Sequence, residues 1–581
     1  MKKLLTYLKS YKKESILGPL FKMLEASFEL FVPLVIASII DVGIANQDKA
    51  YIFSRCGILI LLGIIGLICS VTAQYFAAKA SVGFAKKVRH ALFSHIQTFS
   101  CTELDKLGTS TLITRLTSDM NQVQNGINLT LRLFLRSPFV VFGAMLMAFT
   151  IDIKCALIFV VAIPLLSIVV FGIMLLSIPL YKKVQKKLDE VLLITRENLI
   201  GVRVLRAFCK EKEETTHFIN TNEELTQLQK YVGKISALLN PLTYIIINFA
   251  IIALIHQGSL QVSLGILTQG QVVALYNYMS QILVELIKLA NLIISITKAV
   301  ACGNRIQAVL DLEASMLDGS MPTNISPQDS STAAVSFCHA SLCYAGSSEE
   351  ALTDIHFSVQ KGETVGVIGG TGSGKSSLVN LIPRFYEVSS GSVLVNGINV
   401  KDYSQSSLRA LIGVVPQKAV LFKGTIRENM QWGKKTASDE EIMEALRCAQ
   451  AEEIVLGKEE GLDHKIEQGG KNLSGGQRQR FTIARALVGR PEILILDDSS
   501  SALDFATDAA LRSALCKLSW KPTTFIVSQR TASIRHADKI IVLEDGEAVG
   551  IGTHNELLET CEVYREIYES QFKKEGKTDE K

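Results

Sequence analysis

The stretch "VGVIGGTGSGKSS", residues 365–377, decides the fold of the C-terminal half. Its aliphatic start reads as a buried strand, and the GxxxxGKS that follows puts Gly369, Gly374, Lys375 and Ser376 in fixed positions before a helical pattern. Glycines let a backbone wrap closely, so amide N–H groups and the start of a helix face phosphate oxygens. On this reading Gly370, Thr371, Gly372, Ser373 and Ser377 complete the phosphate loop. Lys375 reaches the β- and γ-phosphates, and the Ser376 hydroxyl ligates Mg²⁺. A nucleotide with Mg²⁺ is the expected ligand.

Further along, "PEILILDDSSSALD" (491–504) supplies the partner of that loop. Four aliphatics run into Asp497, the strand-end carboxylate expected to complete the magnesium site. Between residues 333 and 572 short apolar runs alternate with helical patterns, which predicts an α/β domain with a mixed sheet. The polar run 313–332, rich in Pro, Gly and Ser, reads as a linker, and 573–581 as a charged tail.

The N-terminal half has a different texture. Of the 581 residues 48% are hydrophobic, and the apolar excess lies almost wholly before residue 300. Windows of at least about 17 apolar residues mark six spans, near 16–40, 56–78, 135–151, 156–178, 236–256 and 268–290, in an all-α domain over 1–312. Lys and Arg cluster before the first span and after the second and fourth, and none occurs between Lys234 and Lys288. The positive-inside rule then puts both termini in the cytoplasm and the 258–268 loop outside. Internal segments 79–134 and 179–235 are long, charged and helically patterned, so the helices are expected to extend far beyond the bilayer. The eleven cysteines show no CxxC spacing and read as free thiols. A net charge of +4 argues neither for nor against nucleic acid, but no basic, aromatic-interleaved patch stands out, so nucleic acid is not an expected partner.

Between the phosphate loop and Asp497 sits "LSGGQRQRFTIARAL", opening with Leu473, Ser474, Gly475, Gly476 and Gln477. This resembles the signature motif of ATP-binding cassette (ABC) proteins. With six spans before it and every cassette motif in order, the chain resembles a half-transporter of the ABC exporter type. The resemblance implies ATP as the nucleotide, Tyr344 as the aromatic stacked on adenine, and Gln417 as the loop glutamine at the magnesium. It implies that residues 473–477 face the γ-phosphate held by the other cassette of a dimer, and that Asp504 lies on the loop crossing that interface. "TSTLITRLTSDM" (109–120) and "LIGVRVLRAF" (199–208) resemble the two coupling helices that dock on cassettes.

Two positions at the nucleotide site depart from the family pattern. The residue after the magnesium aspartate is normally a glutamate serving as base for the attacking water; here it is Asp498, one methylene shorter. Where the family has a histidine at the γ-phosphate, "TTFIVSQRTAS" places Gln529, which donates a hydrogen bond but carries no charge and relays no proton. Both fall on one site, which is expected to bind ATP and hydrolyse it slowly. The intact signature would complete a competent site on another chain. The resemblance is therefore to the degenerate-site subunit of heterodimeric bacterial multidrug exporters. Gln468, just before the signature, also replaces a family glutamate. A homodimeric exporter or lipid flippase with two slow sites is the alternative, and an ATP-gated channel a remoter one.

For the cargo, Glu25 and Glu29 stand out in the first span, one helical turn apart with Lys22 nearby. A carboxylate inside the bilayer costs about 2.5–3.5 kcal/mol when it faces lipid, so Glu29, well inside by helical rise, is expected to face the bundle interior or a water-filled cavity. The pair either contacts a cationic or polar cargo or couples to protons, or one of them pairs with Lys22 or lies exposed in an inward-open vestibule. Asn240, Asn248 and Gln281 are further polar residues in spans. With no organellar presequence evident, a bacterial inner membrane is the expected location.

Overall fold

The computed structural model describes residues 3–316, 318, 319 and 332–572. Of the expected linker, 317 and 320–331 lie outside the described residues, as does the tail 573–581. The chain forms two compact units: residues 1–97 with 110–313, and residues 98–109 with 314–581.

The first unit is helical. Six stretches long and apolar enough to cross a membrane run over 4–44, 49–96, 109–151, 153–200, 211–263 and 269–310. Each hydropathy window falls on one of them, the last beginning one residue before its helix. Three of the connecting turns are short because a polar side chain caps the next helix at once. Asp48 accepts from Tyr51 N at 3.1 Å, Asp152 from Cys155 N at 2.8 Å, and Thr268 forms a capping box with Gln271. Phe53, Ile60, Leu67, Phe142, Val161 and Ile168 point outward, the inverse of a water-soluble bundle. Small residues set the interior: an added Cβ at Gly18 would lie 3.5 Å from the Ala77 backbone nitrogen, so the first two helices approach closely.

The second unit is α/β and has two hydrophobic clusters. A four-stranded antiparallel sheet joins β1 (Val335–Cys343), β2 (Glu350–Val359), β4 (Ser390–Val395) and β5 (Ile398–Asn399) in the order β2-β1-β4-β5. The six-stranded sheet includes β3 (Thr364–Gly369), β6 (Ile412–Val415), β9 (Ile493–Asp497), β10 (Thr523–Val527), β11 (Lys539–Glu544) and β12 (Glu547–Gly552). Its order is β12-β11-β3-β10-β9-β6, parallel except for β12; β7 (Gly424–Thr425) and β8 (Lys465–Ile466) form a separate pair. All five residues of β9 and of β10 are buried, as expected for parallel strands covered on both faces.

One expectation is corrected here. The helix that packs with this unit is Cys101–Leu107, not the 109–120 stretch. Ser100 and Glu103 close a capping box at its start, and Gly108, at φ +72°, ends it. Asp105 accepts from the Tyr386 hydroxyl at 2.6 Å, and Ser315 N donates to Glu103 at 3.3 Å. The polar face of 109–120 is instead used inside the helical unit. Asp119 there is buried and accepts from Arg115 at 2.7 Å and from Arg305 at 2.5 and 3.0 Å. The second expected docking helix, Val202–Ala207, buries none of its own residues.

Candidate functional site

The motifs converge because the strands carrying them are neighbours. In the order β3-β10-β9-β6, the segments leaving the carboxyl ends are the phosphate loop, Ser528–Gln529, Asp497–Asp498 and the Gln417 turn. Open α/β sheets bind ligands outside those ends. A cavity of about 300 Å³ there is lined by Lys375, Ser376, Gln417, Asp497, Asp498 and Gln529, together with Tyr344, Thr371, Gly372, Gly374 and Ser377. Gly369, Gly370 and Ser373, the remaining loop residues, accept hydrogen bonds from the Lys375 ammonium. A larger cavity of about 640 Å³ lies at the opposite, amino ends of β3 and β10 and holds none of the motif residues.

The loop geometry requires its glycines. Gly374 sits at φ +93°, a left-handed conformation, and a Cβ at Gly369 would come within 2.1 Å of the Leu543 carbonyl oxygen. Lys375 is buried, and its ammonium donates to Gly369 O at 2.9 Å, to Ser373 Oγ at 3.3 Å and to Gly370 O. Among the described residues it has no carboxylate at ion-pair distance. Burial holds its pKa below the ordinary lysine value, against the opposing pull of Asp498 and Asp497. A buried cation held only by neutral acceptors suits an incoming polyphosphate. Ser376 Oγ donates to Asp497 Oδ1 at 2.9 Å, which brings two hard oxygen donors to one point, the donor type Mg²⁺ prefers. Burial raises the Asp497 pKa against the bond from Ser376, so a divalent cation would relieve a desolvated carboxylate.

The two divergent positions sit in this same cavity. Asp498 adopts φ +45°, in the left-handed region that aspartate tolerates better than larger residues. Its N–H donates to Val527 O at 3.1 Å, and its Oδ2 accepts from Gln417 Nε2 at 3.3 Å. Gln529 follows β10 directly. Its backbone carbonyl accepts from Gln571 Nε2 at 2.8 Å, while Gln571 Oε1 takes the Thr531 N–H and hydroxyl at 2.9 and 2.8 Å. The C-terminal helix Glu562–Phe572 thus holds the loop that carries Gln529. The sequence offered no signal for this clamp, since Gln571 is an ordinary helical polar residue there.

Tyr344 donates to or accepts from Ser377 Oγ at 2.8 Å and packs edge-on against Tyr386, ring centroids 5.0 Å apart. The signature residues do not join the cavity. Ser474 caps the helix Gly475–Val488, accepting from Gln477 N at 3.2 Å while Gln477 Oε1 accepts from Ser474 N at 3.0 Å; Leu473 is buried beneath. Asp504 caps Phe505–Cys516 by accepting from Thr507 N at 2.7 Å, which holds its pKa below the usual carboxylate range.

In the helical unit Glu25 pairs with Lys22 at 2.6 Å, as one sequence reading allowed, but Glu29 pairs with Arg136 at 2.6 Å. Arg136 also pairs with Glu285 at 2.6 Å. Arg136 stands at the edge of the 135–151 window and Glu285 is the lone acid inside the sixth, a sequence signal for a buried pair within the membrane. Glu29 lines a cavity of about 400 Å³ in this unit; Glu25 does not.

Residues 15–286 match the family described as ABC transporter transmembrane region, and residues 352–501 the family described as ABC transporter. The uncharacterized ABC transporter ATP-binding protein YfiB of Bacillus subtilis (strain 168) is 38% identical over 577 residues, 99% of each chain. A second Bacillus subtilis protein, YgaD, provisionally named a multidrug export ATP-binding/permease protein, is 32% identical over 99% of this chain and 98% of its own. A bacterial Atm1-family ABC exporter solved with ATP bound matches with a TM-score of 0.79 at 21% identity, over 98% of this chain and 99% of that one.

Proposed function

The chain belongs to the ABC transporter family, an exporter-type six-span membrane domain fused to one ATP-binding cassette, and from that premise we propose that it is the hydrolysis-impaired half of a heterodimeric exporter. ABC exporters work as membrane-embedded dimers that couple ATP hydrolysis to transport. The finer reading is that this subunit's own site, built on Lys375, Ser376 and Asp497 with Tyr344 and Gln417, binds ATP and Mg²⁺ and turns over slowly. Its signature, Leu473 to Gln477, with Asp504 beside it, completes the catalytic site on a different half-transporter. Small amphipathic or drug-like molecules move outward by alternating access, with cassette and both termini on the cytoplasmic side of a bacterial inner membrane. Helix 101–107 relays cassette closure to the membrane domain, and helix 202–207 docks on the other subunit's cassette.

The observation that carries this reading is that Asp498 and Gln529 lie at the carboxyl ends of adjacent strands and line one cavity. When bound, Mg²⁺ would neutralise charge on the phosphates and place the γ-phosphate for in-line attack. The chain's own groups then determine the rate. Base catalysis needs heavy-atom contact of about 2.6–3.2 Å, and Asp498 is one carbon short of the family's reach. Gln529 keeps a hydrogen bond to the γ-phosphate without the charge of an imidazolium.

The test is to purify the chain from its native membrane in mild detergent and identify what accompanies it one-to-one. A second half-transporter with glutamate after its magnesium aspartate and a histidine at the switch position supports the asymmetric pair. Recovery of this chain alone would leave a homodimer, and the heterodimer reading would fail.

A further inference from the structure

The helical unit contains a chain of charges in series. Arg136 donates to Glu29 Oε2 and Glu285 Oε1, both at 2.6 Å, and Lys288 donates to the same Glu285 oxygen at 2.9 Å. Ser137 Oγ donates to the other Glu285 oxygen at 2.8 Å. The middle of the series is sealed: the side chains of Arg136 and Glu285 are 7% and 5% exposed. Its two ends are open, with Glu29 and Lys288 each 44% exposed.

All three helices bring these groups to one depth. Glu29 lies 15 residues before Ile44, Arg136 15 before Ile151, and Glu285 16 after Gln269, at the turns that join the helices at one end of the bundle. At 1.5 Å per residue that is roughly 22–24 Å from those turns, inside a hydrocarbon layer of about 30 Å. Charges persist there only where they pair or meet a polar cavity. Both open ends line the 400 Å³ cavity, whose apolar wall is Val32, Pro33, Ile36, Val140 and Val284. Asn277 and Gln281 line it too, and among the described residues the buried Gln281 Oε1 has no hydrogen-bond partner.

We propose that this cavity is the cargo subsite, and that it selects amphipathic molecules carrying a compact zwitterion, ammonium toward Glu29 and anion toward Lys288. The proposal rests on the exporter reading and names its substrate class. Contacts of 2.6, 2.6 and 2.9 Å in series put the open ends at most about 10 Å apart, allowing for the width of one guanidinium. Two charge-assisted contacts of about 2.8 Å then leave at most roughly 4–5 Å for the ligand's own charge separation. That length suits an ammonium and a phosphate or carboxylate about two to four bonds apart, as in an ethanolamine lipid head or an α-amino acid. The four charges sum to zero, so a neutral zwitterion enters without leaving a net charge in the membrane.

The experiment measures binding of four tritiated probes to the purified full complex: lysophosphatidylethanolamine, zwitterionic 2-aminododecanoic acid, dodecylammonium and dodecyl phosphate. Glu29→Gln leaves Arg136 paired with Glu285, and Lys288→Gln leaves Glu285 with Arg136 and Ser137, so neither strands a buried charge. We expect Glu29→Gln to weaken both zwitterions and the alkylammonium about five- to tenfold and spare the alkyl phosphate, with Lys288→Gln sparing the alkylammonium instead. Preference for the lysolipid or for the amino acid identifies the source of the zwitterion. Equal loss of all four probes in either variant, or no loss in both, overturns the subsite. A variant that fails to assemble is set aside by gel filtration, and the other decides. Binding is read without hydrolysis, so its failure beside unequal nucleotide turnover would sink this inference alone.

Discussion

On the proposed reading, lengthening Asp498 by one methylene should speed hydrolysis at this chain's own site. Asp498→Glu moves the carboxylate outward by about 1.5 Å, one C–C bond. A general base that must sit 2.6–3.2 Å from its water contributes about 10²–10⁴ in rate, which is roughly 2.7–5.4 kcal/mol of barrier. Gln529 remains in the single variant, so the lower end, about 100-fold, is expected. The longer side chain has a local cost. Asp498 sits at φ +45°, where glutamate is less at ease, and about 0.5–1 kcal/mol of cassette stability should be lost. The assay is single-turnover release of radiolabelled phosphate from a complex whose other subunit has lost its own catalytic carboxylate, so that only this site reports. Adding Gln529→His should raise the rate again. An unchanged rate in Asp498→Glu, with nucleotide still bound, would show that carboxylate reach is not what slows the site.

Lys375→Met should weaken a fluorescent ATP analogue by about 10- to 100-fold, the loss of one charge-assisted contact, in an equilibrium titration. Tyr386→Phe removes the 2.6 Å bond to Asp105 and should speed amide exchange in residues 101–107 about five- to thirtyfold, for a cost of about 1–2 kcal/mol. Gln571→Leu strips the clamp from Gln529 O and Thr531; exchange at 529–531 should rise and ATP affinity fall severalfold, while β12 stays protected. Burial holds the His554 imidazole below its ordinary pKa, and its ring bonds the Tyr564 hydroxyl at 2.7 Å in the C-terminal helix. A depressed folded value means the stabilisation is complete above the unfolded pKa near 6.5 and is lost as pH falls through the folded one. Proteolytic nicking of 562–572 should therefore rise between pH 6.5 and 5 but not between 8 and 7, and His554→Gln should flatten the profile.

What the sequence made legible followed from short-range rules. The GxxxxGKS spacing, the aliphatic run into Asp497 and the period of the apolar windows each encode local geometry, and the sheet order then brings 369–377, 417, 497–498 and 529 together. Asp498 and Gln529 could be singled out because their side-chain chemistry differs at fixed motif positions. Long-range pairings were not legible. Nothing local joins Arg136 to Glu29 and Glu285, 107 and 149 residues away, or Gln571 to Gln529. The docking helix was misplaced for a similar reason: 109–120 has the stronger helical pattern, but its Asp119 is consumed by Arg115 and Arg305. Cys101–Leu107 is set by a capping box and a contact to Tyr386, 281 residues distant.

The central claim is an ATP site that holds its nucleotide while the other site cycles. Azido-ATP photo-crosslinked to the complex during steady turnover, with the two subunits separated and the attached nucleotide analysed, tests it directly. The account predicts triphosphate on this chain and diphosphate accumulating on its companion over many cycles. Diphosphate appearing on both at the same rate would contradict it.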